Sequence, residues 1–363
     1  MGLKYYKELD GVRGLAALMV VLFHIKQSGL SKDAFAQIIF KAGNIGQTGV
    51  ILFFVLSGFL ITRILIVSKH KNGYFKNFFV RRSLRIFPLY YLALVVFLIV
   101  YPYLVYGQPI SFDKSWTFWL YLQNIGMTFK WNQEGPAHLW SLAVEEHFYL
   151  IWPFVVYWVS DKTLLKIIAI VIFFCIAFRI LLLNNGYAGI FYFTLTTVDC
   201  LAIGGFVALN EKYNWLNLKQ LGFIFFITVI ILGFNWILFK GKGNDYIQIL
   251  KLPFIAILYM CVINFLISSE SYFNTIFKTR FLTYTGKVSY GLYIFHPLCI
   301  ELIKKFYIQK SFLFYLVAVF MSSFLLASLS YYGYETWFLK LKKKFENFNW
   351  NKVKLLSRNR ESL

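Results

Sequence analysis

Leu9 to His24 reads LDGVRGLAALMVVLFH, an apolar run with Asp10 and Arg13 near its start and a lone histidine deep inside it. Arg13 and His24 are eleven residues apart, so a helix sets them on one face, about 16 Å apart along its axis. With Arg13 at a membrane edge, His24 sits past the middle of the bilayer, where an ionisable side chain points to function. The alternative is a histidine hydrogen-bonded to a neighbouring helix. A second candidate is HLWSLAVEEHFYLIWP, His138 to Pro153, which carries Glu145 and Glu146 beside His147 two turns inside an apolar helix. A scaffold needs no such pair; a carboxyl group at that depth acts as an acid or holds a partner histidine. In RRSLRIFPLYY, Arg81 to Tyr91, Arg82 and Arg85 share a helix face. Forked guanidiniums suit phosphate, and the alternative is a membrane anchor. Ser57, in FFVLSGFLIT, offers a hydrogen-bond donor with nothing local to activate it as a nucleophile, and Gly58 beside it permits close helix contact. Asp199, in TLTTVDCLAIGGFVAL, and His296, in VSYGLYIFHPL, complete the set of polar side chains at depth.

The elements that position these residues are membrane helices. Of the 363 residues 59% are hydrophobic and 15% charged, against about 25% charged in soluble domains. The net charge of +21 does not argue for nucleic acid, because the basic residues fall in short loops and a terminal tail between apolar spans. Cys175, Cys200, Cys261 and Cys299 each lie in an apolar span without metal-like spacing. The hydropathy predicts an all-α polytopic membrane protein with ten spans, near 13–30, 46–67, 86–106, 138–159, 164–184, 188–210, 218–239, 248–268, 283–303 and 312–334. The apolar stretch 116–129 is too short to cross and reads as interfacial or re-entrant. One membrane domain, 1–340, is followed by a basic tail, 341–363. Most of the basic residues lie in segments on the side of the N-terminus, which puts both termini in the cytoplasm.

Depth then sorts the polar residues. Arg13, Arg63, Arg81, Arg82, Arg85 and Lys287 gather at the cytoplasmic mouth, while His24, Ser57, Glu145, Glu146, Asp199 and His296 lie at middle to outer depth. A basic mouth leading to a histidine and carboxylate layer describes a tunnel for a polyphosphate ligand with a long reactive arm. Coenzyme A fits that description. The same layers would also line the pathway of a transporter for an anionic substrate or a polysaccharide unit, although the internal repeats and broken helices common in transporters are not evident.

The chain resembles the acyltransferase-3 family of bacterial membrane O-acyltransferases. Arg13 and His24 within LDGVRGLA, Phe53 to Thr62, Arg81 to Tyr91, His138 to Pro153, VDCLAIGG and GKVSYGLYIFHP look like family segments in family order. His147 stands where a glutamine is usual, Thr197 where an arginine is common, and Trp337 where a proline is typical. The length fits the stand-alone kind without a hydrolase-like domain. The resemblance implies a multi-pass protein of the bacterial cytoplasmic membrane that transfers an acyl group, most often acetyl, from cytoplasmic acyl-CoA to a hydroxyl of a surface glycan or its lipid-linked precursor. No permanently bound cofactor or metal is implied. On this reading His24 is the catalytic base or a transient acyl carrier, and Glu145 or Glu146 orients its imidazole. Arg82 and Arg85 hold the phosphates with Arg13 nearer the thioester path, and Ser57 or His296 donates to the oxyanion.

Overall fold

The computed structural model describes residues 4–27, 34–187, 189–239, 245–269, 271–306 and 311–345. Helices dominate these residues, and no strand occurs among them. In hydrocarbon each backbone N–H and C=O must find a partner within the protein, and a helix does this within one segment. The helices are α1 (Lys7–Gln27), α2 (Ala34–Gly46), α3 (Gly49–Ser68), α4 (Tyr74–Leu94), α5 (Tyr101–Tyr106), α6 (Phe112–Trp119), α7 (Gln123–Thr128) and α8 (Trp140–Trp158). They continue as α9 (Asp161–Asn184), α10 (Val198–Tyr213), α11 (Leu218–Phe239), α12 (Asp245–Ser268), α13 (Tyr272–Phe277), α14 (Arg280–Phe306), α15 (Phe312–Ser330) and α16 (Thr336–Lys342). A π-helical stretch, Val95–Val100, joins α4 to α5, so the two run as one long rod.

This is an all-α polytopic membrane protein. Six stretches among the described residues are long and apolar enough to cross a membrane: Phe35–Ser68, Tyr74–Tyr106, Asp161–Asn184, Leu218–Ile237, Ile249–Ser268 and Phe312–Lys342. Helices α1, α8, α10 and α14, which carry most of the polar candidates, fall outside that set. The stretch 116–129 folds as the two short helices α6 and α7. Helix α2 lies in what the sequence reads as an outer loop. The expected span 188–210 is shorter than predicted, because its helix begins at Val198. Before it, Thr196 and Thr197 bond the Phe193 carbonyl through their hydroxyls, each at 2.8 Å, which offers the backbone an alternative to helix. The end of the first predicted span, 28–30, and the tail beyond 345 lie outside the described residues.

Two glycine seams set the spacing that matters for the site. Along α1 and α14, a Cβ on Gly286 would fall 1.8 Å from the Asp10 carbonyl oxygen, and one on Gly14 would fall 2.3 Å from that of Leu282. Along α3 and α10, a Cβ on Gly58 would fall 1.8 Å from the Leu201 oxygen, and one on Gly204 would fall 2.1 Å from that of Val55. Backbones that close tolerate no side chain between them, as at small-residue contacts in membrane helices generally. Gly58 therefore packs as its sequence context predicts. Exposed Ile170, Phe173, Phe223, Ile237, Met321 and Leu325 on α9, α11 and α15 give the bundle an apolar exterior suited to lipid.

Candidate active site

Among the described residues, two cavities that enter the bundle share no lining residue. Four rods contribute to each from different positions along their length. On α1, Arg13 faces one cavity and His24 the other. On the α4–α5 rod the division falls between Ile86 and Phe97, on the α8 segment between Ser141 and His138, and on α14 between Tyr293 and Pro297. The chain direction of α8 is opposite to that of the other three in this ordering. The cavities therefore open towards opposite ends of the bundle. The single tunnel expected from sequence is two chambers that approach each other at Ser141, Tyr293 and His138.

The basic chamber, about 520 Å³, holds Arg13, Arg63, Arg81, Arg82 and Arg85 with Ser57, Glu145 and Tyr149. Its guanidiniums are not equivalent. Arg13 pairs with Asp10 at 2.9 Å, and Arg63 pairs with Glu211 at 2.5 Å while donating to the Lys4 carbonyl. Among the described residues Arg82 and Arg85 pair with no carboxylate. Arg82 instead lies over the Tyr149 ring, 5.3 Å from its centroid. Two forked cations without counterions in one cavity suit an anion with several oxygens. Tyr149 donates to Glu145 Oε2 at 2.8 Å, so the hydroxyl of Ser57, 3.0 Å away, donates in turn to Tyr149. Ser57 and Glu145 thus belong to the floor of the basic chamber.

The second chamber is lined by His24, His138, Phe97, Tyr101, Tyr106, Lys114, Glu134 and Glu301, among others. At its rim the Glu134 carboxylate hydrogen-bonds Lys114 at 2.6 Å and raises the pKa of that ammonium. The hydrogen bonds of the histidines define their tautomers, because a carbonyl only accepts. His296 Nδ1 lies 3.1 Å from the Leu292 carbonyl and is the donor, which leaves its Nε2 as a lone pair in the neutral ring. His24 Nδ1 lies 2.9 Å from the Val20 carbonyl and 3.1 Å from His296 Nε2, so one N–H serves both acceptors. His24 Nε2 is then unprotonated, on a ring that lines the chamber. That is the tautomer a general base requires.

Three expectations need correction. Among the described residues neither Glu145 nor Glu146 bonds His24; its Nδ1 partners are the Val20 carbonyl and His296. Glu145 is seven residues along the chain from His138, about 10 Å by helical rise, and so belongs to the other chamber. Glu146, a further 100° round the helix, lines neither cavity, and its Oε1 is buried without a partner among the described residues. His296 is not an oxyanion donor, since Leu292 already takes its one proton and its other nitrogen accepts. Asp199 is no ligand-binding residue either. It is fully buried against Arg179 of α9, whose Nη2 reaches both carboxylate oxygens at 2.6 and 2.7 Å and whose other nitrogens hold the Thr196 and Ile249 carbonyls. The arginine absent at position 197 is thus supplied by the neighbouring helix.

Sequence reasoning passed over His138, Ser141, Tyr149 and Tyr293. Tyr293 donates its hydroxyl to the His138 carbonyl and accepts from Ser141 at 2.6 Å. The signal for His138 was its place at the head of the segment that also carries Glu145, and for Tyr293 its place one helical turn before His296.

A family model described as an acyltransferase domain matches residues 6–332. Peptidoglycan O-acetyltransferase OatA of Listeria monocytogenes is 31% identical over 320 residues, covering 81% of this chain and 49% of that protein. A provisionally named O-acetyltransferase of Staphylococcus aureus is 26% identical, covering 96% of this chain and 59% of its own length. A provisionally named peptidoglycan O-acetyltransferase of Bacillus subtilis, YrhL, is 27% identical, with 81% and 48% covered. The chain spans about half the length of these curated relatives. No solved structure matches it.

Proposed function

The chain belongs to the acyltransferase-3 family, and we propose that it moves an acetyl group from cytoplasmic acyl-CoA to a hydroxyl of a cell-envelope glycan. Peptidoglycan is the acceptor named for two of the relatives and is the first to test. The observation that carries this reading is the division of α1, with Arg13 in the chamber that holds Arg82 and Arg85 and His24 in the chamber opposite. The excess of basic residues on the Arg82 and Arg85 side supports a cytoplasmic position for the basic chamber and for both termini.

In this account Arg82 and Arg85 bind the donor's phosphates, and the pantetheine arm runs past Tyr149 and Glu145 towards Ser141 and Tyr293. The acceptor enters the second chamber. His24 Nε2 takes the proton of its hydroxyl, and the oxygen attacks the thioester carbonyl. A C–O bond forms, the C–S bond breaks, and the proton held by His24 passes to the departing thiolate, which leaves as CoA–SH. Donor and acceptor thus reach the reacting centre from opposite ends of the bundle.

The test is purified protein with radiolabelled acetyl-CoA and a soluble glycan. Label on the glycan with equal release of CoA–SH supports the enzyme. Substrate flux through proteoliposomes without CoA release would sink it in favour of a transporter.

A further inference from the structure

We propose that His138 recognises a second hydroxyl of the acceptor sugar, so that the second chamber selects a carbohydrate offering two hydroxyls on the reacting ring. This rests on the reading of His24 as the base towards the first.

His138 Nε2 lies 3.1 Å from the Ile294 carbonyl and is the donor there, so Nδ1 holds the lone pair. Among the described residues nothing donates to that nitrogen. The rings packed on His138 are Phe97, Tyr293 and His296, at centroid distances of 5.6, 5.7 and 5.6 Å. Phe97 has no donor, the Tyr293 hydroxyl is committed to the His138 carbonyl, and the single N–H of His296 is committed to Leu292. An acceptor on a ring that lines a chamber takes its donor from water or from a ligand there.

The residue is also held firmly. Helix α14 fixes its ring through the Ile294 carbonyl and its backbone through the Tyr293 hydroxyl. The same helix carries His296, whose ring packs on both His24 and His138, at 4.8 and 5.6 Å. One helix therefore sets the positions of two imidazoles in one chamber, each with a free acceptor nitrogen. An acceptor nitrogen recognises O–H donors. A thiol, a tertiary amine or an isolated alcohol would satisfy at most one of the two, whereas a sugar ring satisfies both.

The experiment uses the full chain with acetyl-CoA as donor, and as acceptors methyl β-N-acetylglucosaminide and its mono-deoxy analogues. With the wild-type protein, removal of the reacting hydroxyl abolishes product at that position, and removal of one other hydroxyl lowers kcat/KM about tenfold or more. In His138→Phe the second penalty disappears while the first remains and the KM for acetyl-CoA is unchanged; His138→Gln, which keeps an acceptor, retains part of it. A purely structural histidine would lower the rate on every acceptor alike and leave the ratio between them intact, and that result overturns the inference. So does a wild-type protein indifferent to every hydroxyl but the reacting one, an outcome that needs no variant to fold. Absence of transfer to any sugar would overturn the functional reading as well, whereas transfer without discrimination overturns this inference alone.

Discussion

His296 Nε2 lies 3.1 Å from His24 Nδ1, and the two residues are 272 apart in the chain. The contact exists because Gly14 and Gly286 let α1 and α14 close backbone to backbone. It gives His24 a neutral orienting partner where a hydrolase triad has a carboxylate. The pair, His296 buried and His24 half-buried, keeps the proton on Nδ1 and the lone pair on Nε2 without introducing a charge into the membrane interior.

His296→Phe removes one of the two acceptors for that proton, leaving the Val20 carbonyl, and keeps the rest of α14 in place. The expected result is a fall in kcat of about 10²–10⁴-fold, the range for loss of effective general-base catalysis, with the KM for acetyl-CoA unchanged. Steady-state kinetics against donor concentration separate the two. An unaltered kcat would remove His296 from the account.

Arg82→Ala and Arg85→Ala act on the other chamber. Each deletes a charge-assisted contact worth about 1.5–3 kcal/mol, which is about 10–100-fold in donor affinity. Calorimetric titration of CoA into the detergent-solubilised variants measures this directly. Arg→Lys at either position keeps charge but loses the fork, so it recovers affinity only in part. Equal CoA affinity in the double Ala variant contradicts a phosphate role.

Asp199→Ala leaves the Arg179 guanidinium buried and uncompensated. Loss of one partner of a buried pair costs about 3–5 kcal/mol, so the variant should melt well below the wild type in a thermal unfolding assay. Replacing both residues, as Arg179→Met with Asp199→Leu, should recover much of the loss, because the pair serves packing and not ligand binding. If instead the Asp199→Ala protein melts normally and loses only CoA affinity, the structural assignment fails.

Gly58→Ala tests the α3–α10 seam. A Cβ there meets the Leu201 carbonyl at 1.8 Å, whereas one on Gly222 of α11 meets nothing within 4 Å. Gly58→Ala should destabilise the protein and disturb Ser57 and its bond to Tyr149, while Gly222→Ala is neutral or stabilises by about 0.5–1 kcal/mol. Thermal unfolding of the two variants side by side is the check.

Composition made the membrane class and the helical fold legible, because apolar runs of spanning length admit few other structures. Arg13, Arg82 and Arg85 could be assigned to a common chamber because depth follows from position along a helix, whereas Ser57, read in the deeper layer with His24, lines the basic chamber. Lateral neighbours could not be read this way. Glu145 and His24 share a depth layer in the sequence reading, yet seven residues separate Glu145 from His138, which precedes α8. Asp199 looked functional because its partner, Arg179, comes from a different helix, and spacing along one helix does not reveal it. His138 was missed because an imidazole near a span end raises no alarm until α14 brings His296 beside it. Residues 189–197 read as helix from hydropathy alone, but their threonine hydroxyls compete for the backbone.

The most direct test of the central claim is the rate of label transfer from radiolabelled acetyl-CoA to glycan by His24→Ala, measured beside its affinity for CoA. The expected result is wild-type CoA affinity, since Arg82 and Arg85 occupy the other chamber, together with loss of transfer. Transfer at the wild-type rate by a folded His24→Ala protein would contradict it.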